Sequence, residues 1–286
     1  MNPILNVTGL NKSYPRFSLK DVTFSLPEGC ITGFTGANGA GKTTTLRAIL
    51  GLTARLSGQV EFFGLDIQTK ESEIKDRLGV VLGNGCFYEE LTLAEMKDII
   101  APAYTSWCEK DFKMYLERFA LDPKQKINTL SRGMKMKYAL TLALSHKAEL
   151  LIMDEPADGL DPLIRSQLLS ILKDYMSEGG RGVFFSTHIT SDLDKIADMI
   201  VMIDRGRIIF QEEKDTLLDG YRIVKGGLQA LNVETRALFL KLDETAFGFT
   251  GITKQAVKVQ QLIPDAVIER PTMEDIMLSH MKGSER

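Results

Sequence analysis

Short apolar runs rich in β-branched and aromatic residues alternate along the chain with longer stretches of helical spacing. LKDVTFSL and CITGFTG come first, and the second feeds a Gly-Lys-Thr start to the helical pattern TTTLRAILGL. Further runs follow at RLGVVL, ELLIMDEP, RGVFFSTHI and ADMIVMIDRG. That alternation predicts parallel strands joined by crossover helices, an α/β layer fold. Between RLGVVL and ELLIMD the strand character disappears. Helical patterns at TLAEMKDIIAPAY, EKDFKMYLERFA and SRGMKMKYALTLALS replace it, which predicts an inserted helical subdomain over about residues 84–147. After about Asp219 the texture changes again. GYRIVKGGLQAL, ALFLKLDETAFGF and a last helical turn or two at PTMEDIMLSHM predict a small C-terminal α/β appendage, residues 219–286.

Composition removes several classes. A hydrophobic fraction of 44% and a charged fraction of 26% over 286 residues are ordinary for a globular protein and exclude disordered and collagen-like chains. The net charge of −3 gives no bulk attraction to nucleic acid, so any anion site must be built from positioned groups. No apolar run approaches the roughly 18 to 20 residues that span a bilayer, and MNPILNVTGLNKSY lacks the basic start and apolar stretch of a signal peptide; a cytosolic chain is expected. Cys30, Cys86 and Cys108, odd in number and far apart, match neither a disulfide framework nor metal-ligand spacing and are expected to be reduced thiols.

Three strand ends carry candidate chemistry. Gly36-Ala37-Asn38-Gly39-Ala40-Gly41-Lys42-Thr43-Thr44 fits G-x-x-x-x-G-K-[ST] and lies where that motif must, after a strand and opening a helix. Its backbone N–H groups converge on phosphate oxygens, Lys42 reaches the β- and γ-phosphates, and Thr43 can hold Mg²⁺; the bland reading is a glycine turn between strand and helix. Glu149-Leu150-Leu151-Ile152-Met153-Asp154-Glu155 delivers two adjacent carboxylates at the end of a buried strand. They read either as a solvated strand end or, beside the phosphate loop, as Asp154 serving Mg²⁺ from behind its direct ligands and Glu155 polarising a water as general base. Ser186-Thr187-His188 ends another buried strand, where His188 either satisfies a local hydrogen bond or contacts a γ-phosphate. A fourth stretch, NTLSRGMKMK, starts a helix with Arg132, Lys135 and Lys137, although a helix N-terminus favours acids.

These elements resemble the ATP-binding subunit of a bacterial ABC transporter over about residues 4–218. Leu130-Ser131-Arg132-Gly133-Met134 is similar to that family's signature, commonly LSGGQ, and Ala157-Asp158-Gly159-Leu160-Asp161 to its D-loop. The resemblance implies a P-loop NTPase of the ABC ATPase type, using ATP and Mg²⁺, that works as a head-to-tail dimer with an identical or related ATPase chain. Each site would combine Tyr14, stacked on adenine, with the phosphate loop (Gly36, Asn38, Gly39, Ala40, Gly41, Lys42, Thr43 and Thr44), Asp154, Glu155 and the switch residue His188. The partner would add Ser131 and Gly133, with Asp161 at the interface or simply capping its own helix. The negative charge missing from NTLSRGMKMK would then be the γ-phosphate of the other protomer's ATP.

The family commonly places Gln at the end of the strand LGVVL; here that place is Gly83, with Asn84 one residue later as a substitute amide or a water in its stead. Phe87-Tyr88-Glu89-Glu90 would line the groove that receives a permease helix, or else form a core aromatic pair with a solvated acidic edge. ADGLDP, the SRGM form and ERPTMEDIML look like the ATPases of ABC-2-type exporters, among them those for phenol-soluble modulins and antimicrobial peptides. That resemblance implies a separate integral-membrane permease, a peripheral place on the cytoplasmic side of the membrane and no nucleic-acid partner. The alternatives are a soluble ABC ATPase acting on ribosomes or DNA, and a regulatory module that barely hydrolyses.

Overall fold

The computed structural model describes residues 3–83 and 87–280. Two long strands open the chain, β1 (Leu5–Tyr14) and β2 (Phe17–Leu26), in a hairpin that sets Tyr14 opposite Phe17. Both mix buried and solvated positions, as an antiparallel sheet with one wet face requires. β3 (Ile31–Thr35) is buried at every position and leads through the loop 36–41 into α1 (Lys42–Ile49). β4 (Ser57–Phe62) and β5 (Leu65–Asp66) complete a first sheet of order β2-β1-β4-β5. LKDVTFSL, which the sequence pattern groups with the parallel strands, therefore lies in an antiparallel sheet. The reason is the hairpin: a connection of two residues cannot make a parallel crossover.

After α2 (Glu71–Asp76), β6 (Leu78–Leu82) forms the edge of a second sheet. The interval read as helical holds α3 (Leu93–Ile100), α4 (Glu109–Arg118) and α5 (Arg132–Ser145). Thr92 and Glu95 close a capping box on α3, and the buried Tyr138 of α5 donates its hydroxyl to the Leu93 carbonyl at 2.8 Å, fastening the two helices together. β7 (Leu150–Asp154), α6 (Pro162–Met176), β8 (Gly182–Thr187), α7 (Thr190–Ile196), β9 (Met199–Asp204) and β10 (Arg207–Glu213) follow. The resulting sheet has the order β10-β9-β3-β8-β7-β6 and is parallel except for β10. The expected α/β fold with its helical insertion is present.

Beyond α8 (Lys214–Gly220) a third, antiparallel sheet forms from β11 (Arg222–Gly226), β12 (Lys241–Thr245), β13 (Gly248–Thr253) and β14 (Val267–Glu269), with α9 (Val233–Arg236) and α10 (Ala256–Leu262) in its connections. Val224, Phe249, Val259 and Ile263 give it a small core. The last helix, α11 (Met273–His280), belongs elsewhere in packing terms. Met273 and Ile276 are fully buried in the main core with Leu193, Ile196 and Ala197, and the Thr35 hydroxyl lies 3.5 Å from the Met277 sulfur. The C-terminal segment thus reaches the end of β3, one residue before the loop 36–41. Cys30 and Cys108 are free and half-buried; Cys86 lies outside the described residues. No helix among the described residues is long and apolar enough to cross a membrane.

Candidate nucleotide site

The carboxyl ends of β3, β7 and β8 meet in register, with Asp154 opposite Ser186 and Ser186 opposite Phe34, where open parallel sheets bind ligands. The loop from β3 arrives with Gly41 at φ 118° as the N-cap of α1, a conformation only glycine adopts freely. A Cβ there would also lie 2.7 Å from the Phe17 ring, so the β1–β2 hairpin presses on the loop. α1 has neither a capping side chain nor an acid in its first turn, which leaves the first N–H groups, at Lys42, Thr43 and Thr44, available to an anion. Gly36 and Ala40 are buried, Asn38, Gly39 and Thr43 exposed. The buried Lys42 ammonium donates to the carbonyls of Gly36 at 2.8 Å and Ala37 at 3.3 Å.

Asp154 is buried, and its Oδ1 accepts the Ser186 hydroxyl at 2.6 Å, while the Ser186 oxygen accepts the Glu155 N–H at 2.8 Å. Ser186 therefore locks both carboxylate positions. Nothing local in the sequence gives Ser186 this role, which follows only from β7 and β8 being neighbours. Asp154 Oδ2 carries no hydrogen bond among the described residues; it and the Thr43 hydroxyl are oxygen donors of the kind Mg²⁺ prefers, and would hold that ion with Asp154 behind its direct ligands. Glu155, at φ 47°, places one oxygen 3.3 Å from Lys42 and the other 3.0 Å from His188 Nδ1. Lys42, Asp154, Glu155 and His188 thus converge.

Tyr14 sits at the hairpin end, 44% exposed, with the Lys12 ammonium 4.9 Å from its ring; a hydrogen bond with Thr53, helped by Lys12, holds its phenol below the usual range. Ser131, Gly133 and Asp161 are different. No hydrogen bond or ion pair among the described residues joins them to the loop 36–44. Ser131 caps α5, accepting the Met134 N–H at 3.3 Å, and Asp161 caps α6 through the N–H groups of Leu163 and Ile164. Gly133 is a packing position, since a Cβ would lie 2.9 Å from Ile164. The uncompensated positive start expected for α5 needs correction. Arg132 pairs with Asp158 at 2.7 Å and Lys135 with Glu89 at 2.6 Å, carboxylates remote in sequence that no local pattern reveals.

Residues 19–158 match the family described as ABC transporter. A bacitracin transport ATP-binding protein of Bacillus licheniformis is 34% identical over 212 residues, 73% of this chain and 69% of that protein. The chain belongs to the ABC transporter ATP-binding family. A lantibiotic transport ATP-binding protein of Streptococcus pyogenes is 29% identical over 215 residues, 74% of this ABC ATPase and 92% of its relative. Among solved structures, an ATP-binding subunit of an ABC transporter matches it with a TM-score of 0.67 at 29% identity, over 76% of this chain and 92% of the other. This ABC ATPase binds and hydrolyses ATP.

On the flank of this ABC ATPase an apolar groove of about 370 Å³ runs between β6, α5 and the loop after α1, lined by Leu52, Val80, Leu82, Phe87 and Ile100, with His146 in its wall. Phe87 is half-buried with its ring 5.3 Å from Tyr138, but Tyr88 is 67% exposed, so the two do not form a core pair. Asn84 lies outside the described residues. A side chain at Gly83 would meet the Asp154 carbonyl at 3.3 Å. His146 stacks on Tyr104 at 3.8 Å and is 1% exposed; burial pushes its pKa down to about 4, against an opposing pull from Asp76. Its folded value lies below the unfolded 6.5, so its contribution to stability is complete above pH 6.5 and is lost as pH falls through about 4. Urea midpoints between pH 7 and pH 4 should show a loss of about 3 kcal/mol from this group, at roughly 1.4 kcal/mol per pKa unit, which His146→Phe removes.

Proposed function

We propose that this chain powers the export of amphipathic or antimicrobial peptides through a separate integral-membrane permease, from the cytoplasmic side of the membrane. The observation that carries the reading is an apolar groove on the same subunit as the nucleotide site: a permease helix fills one while ATP turns over at the other. Relatives named for bacitracin and lantibiotic transport support the peptide class.

ATP lays its triphosphate along the loop 36–44, with the first N–H groups of α1 and the Lys42 ammonium on the β- and γ-phosphates and Tyr14 stacked on adenine. Thr43, with Asp154 behind it, would hold Mg²⁺, and the ion would neutralise charge on those phosphates. Glu155 takes a proton from water as the water oxygen bonds to the γ-phosphorus and the bond from that phosphorus to the bridging oxygen of ADP breaks. His188 hydrogen-bonds an oxygen of the departing phosphoryl group. A second copy, or a related ATPase, completes the site with Ser131 and the Gly133 N–H, and Asp161 lies at the junction. ATP favours the closed dimer because only that state makes these contacts; hydrolysis reopens it and moves the permease.

The test is recovery of the tagged full-length chain from mild detergent together with a multi-span membrane protein. Leu52→Glu and Val80→Glu, at exposed groove positions, should lose that protein while retaining ATP binding. Co-sedimentation with ribosomes, and no membrane protein, would overturn the reading.

A further inference from the structure

We propose that Arg132 is a positioning residue for hydrolysis, holding through Asp158 the turn that presents Glu155. The first turn of α5 then serves the chain's own site as well as its partner's. This rests on the reading of Glu155 as general base.

Arg132 Nη2 lies 2.7 Å from Asp158 Oδ2, and the Asp158 N–H donates to the Glu155 carbonyl at 3.1 Å, closing the turn that follows β7. The arginine side chain runs across Gly159, where φ is 67° and a Cβ would lie 2.5 Å from Nη1; the backbone makes room for the guanidinium. Glu155 itself sits at φ 47°, a left-handed value that a non-glycine residue keeps only when its surroundings impose it. Glu155, Asp158 and His188 each bring a charged or polar atom within 4.8 Å of the others. Two carboxylates that close repel, and Arg132 supplies positive charge on the α5 side as Lys42 does on the loop side.

Position 83 explains why the contact comes from α5. Gly83, Arg132, Glu155 and Asp158 line one cavity of about 20 Å³, room for about one water. Gly83, just past β6, brings no side chain to it, and the cations that line it, Arg132 and Lys135, belong to α5. The ion pair is about half exposed and contributes little to stability, so its loss should leave the chain folded.

Steady-state hydrolysis by the full-length chain tests this. Arg132→Ala and Asp158→Ala should each lower kcat about tenfold, the scale of a misplaced catalytic group, with KM changed by less than about twofold. The double variant should be no slower than either single one, and Arg132→Lys should recover most of the rate. Losses that multiply in the double variant would overturn the proposal. So would a native kcat for Arg132→Ala when Glu155→Gln abolishes turnover. If Glu155→Gln itself is without effect, the general-base reading fails first, which keeps the two failures apart. In a Glu155→Gln background, Arg132→Ala should keep ATP-driven dimerisation; its loss would place Arg132 on the partner's nucleotide instead.

Discussion

Glu155→Gln is expected to lower ATP turnover at least about a hundredfold, the usual contribution of a positioned general base, while ATP binding persists. The substitution changes charge and almost nothing else. Ser186 still accepts the backbone N–H of residue 155, and Lys42 keeps the carbonyls of Gly36 and Ala37 when its carboxylate partner becomes an amide. The loop 36–44 is therefore preserved, and with it the anion-binding start of α1. What disappears is the proton acceptor beside His188, so the water loses its base at the moment it attacks phosphorus. ATP consumption by the two chains, measured alongside equilibrium nucleotide binding, decides the matter. Equally slow native and variant chains would mean that Glu155 does no base chemistry, and the regulatory-module reading favoured by Gly83 would gain.

Much of the site is legible in the sequence because its parts are local. The loop 36–44, the Asp154–Glu155 pair and His188 each follow a continuous apolar run, and a run of that kind fixes both a buried strand and the end at which it stops. β1 and β4 are harder to see. Their alternation is interrupted by irregular register, and polar positions such as Thr8, Gln59 and Glu61 dilute the apolar signal. The role of α11 is invisible for a different reason: Met273 and Ile276 look like the inner face of an appendage helix, and nothing local says that this face seals against α7 as well as the third sheet. Side-chain pairing is the least legible level. Arg132 and Asp158 are 26 positions apart, Lys135 and Glu89 46 apart, and only folding reveals that the basic start of α5 is matched by acids.

That match changes the expected behaviour of the signature helix. With Arg132 and Lys135 already paired, the proposed contact with a partner's γ-phosphate falls to the neutral part of the turn, where the Ser131 hydroxyl and the Gly133 N–H would donate to it. Ser131→Arg is therefore expected to abolish ATP-driven dimerisation while leaving ATP affinity of the single chain within about twofold, since no contact made with the chain's own loop 36–44 is lost. The local cost is small. Ser131 is exposed, and losing its cap on the Met134 N–H removes about 1 kcal/mol, too little to unfold the chain. The expected cost at the interface is large, because a long cation replaces a short hydroxyl where the other protomer's triphosphate would close against the turn in the proposed dimer. Light scattering with ATP in a Glu155→Gln background, which keeps the closed state from being hydrolysed away, reads the dimer directly; nucleotide titration of the monomer reads the other half. Equal loss of binding and dimerisation would place Ser131 in the chain's own site and refute the shared arrangement. Ser131→Ala should fall between, weakening the dimer by the value of one hydroxyl, because the Gly133 N–H stays in place beside it.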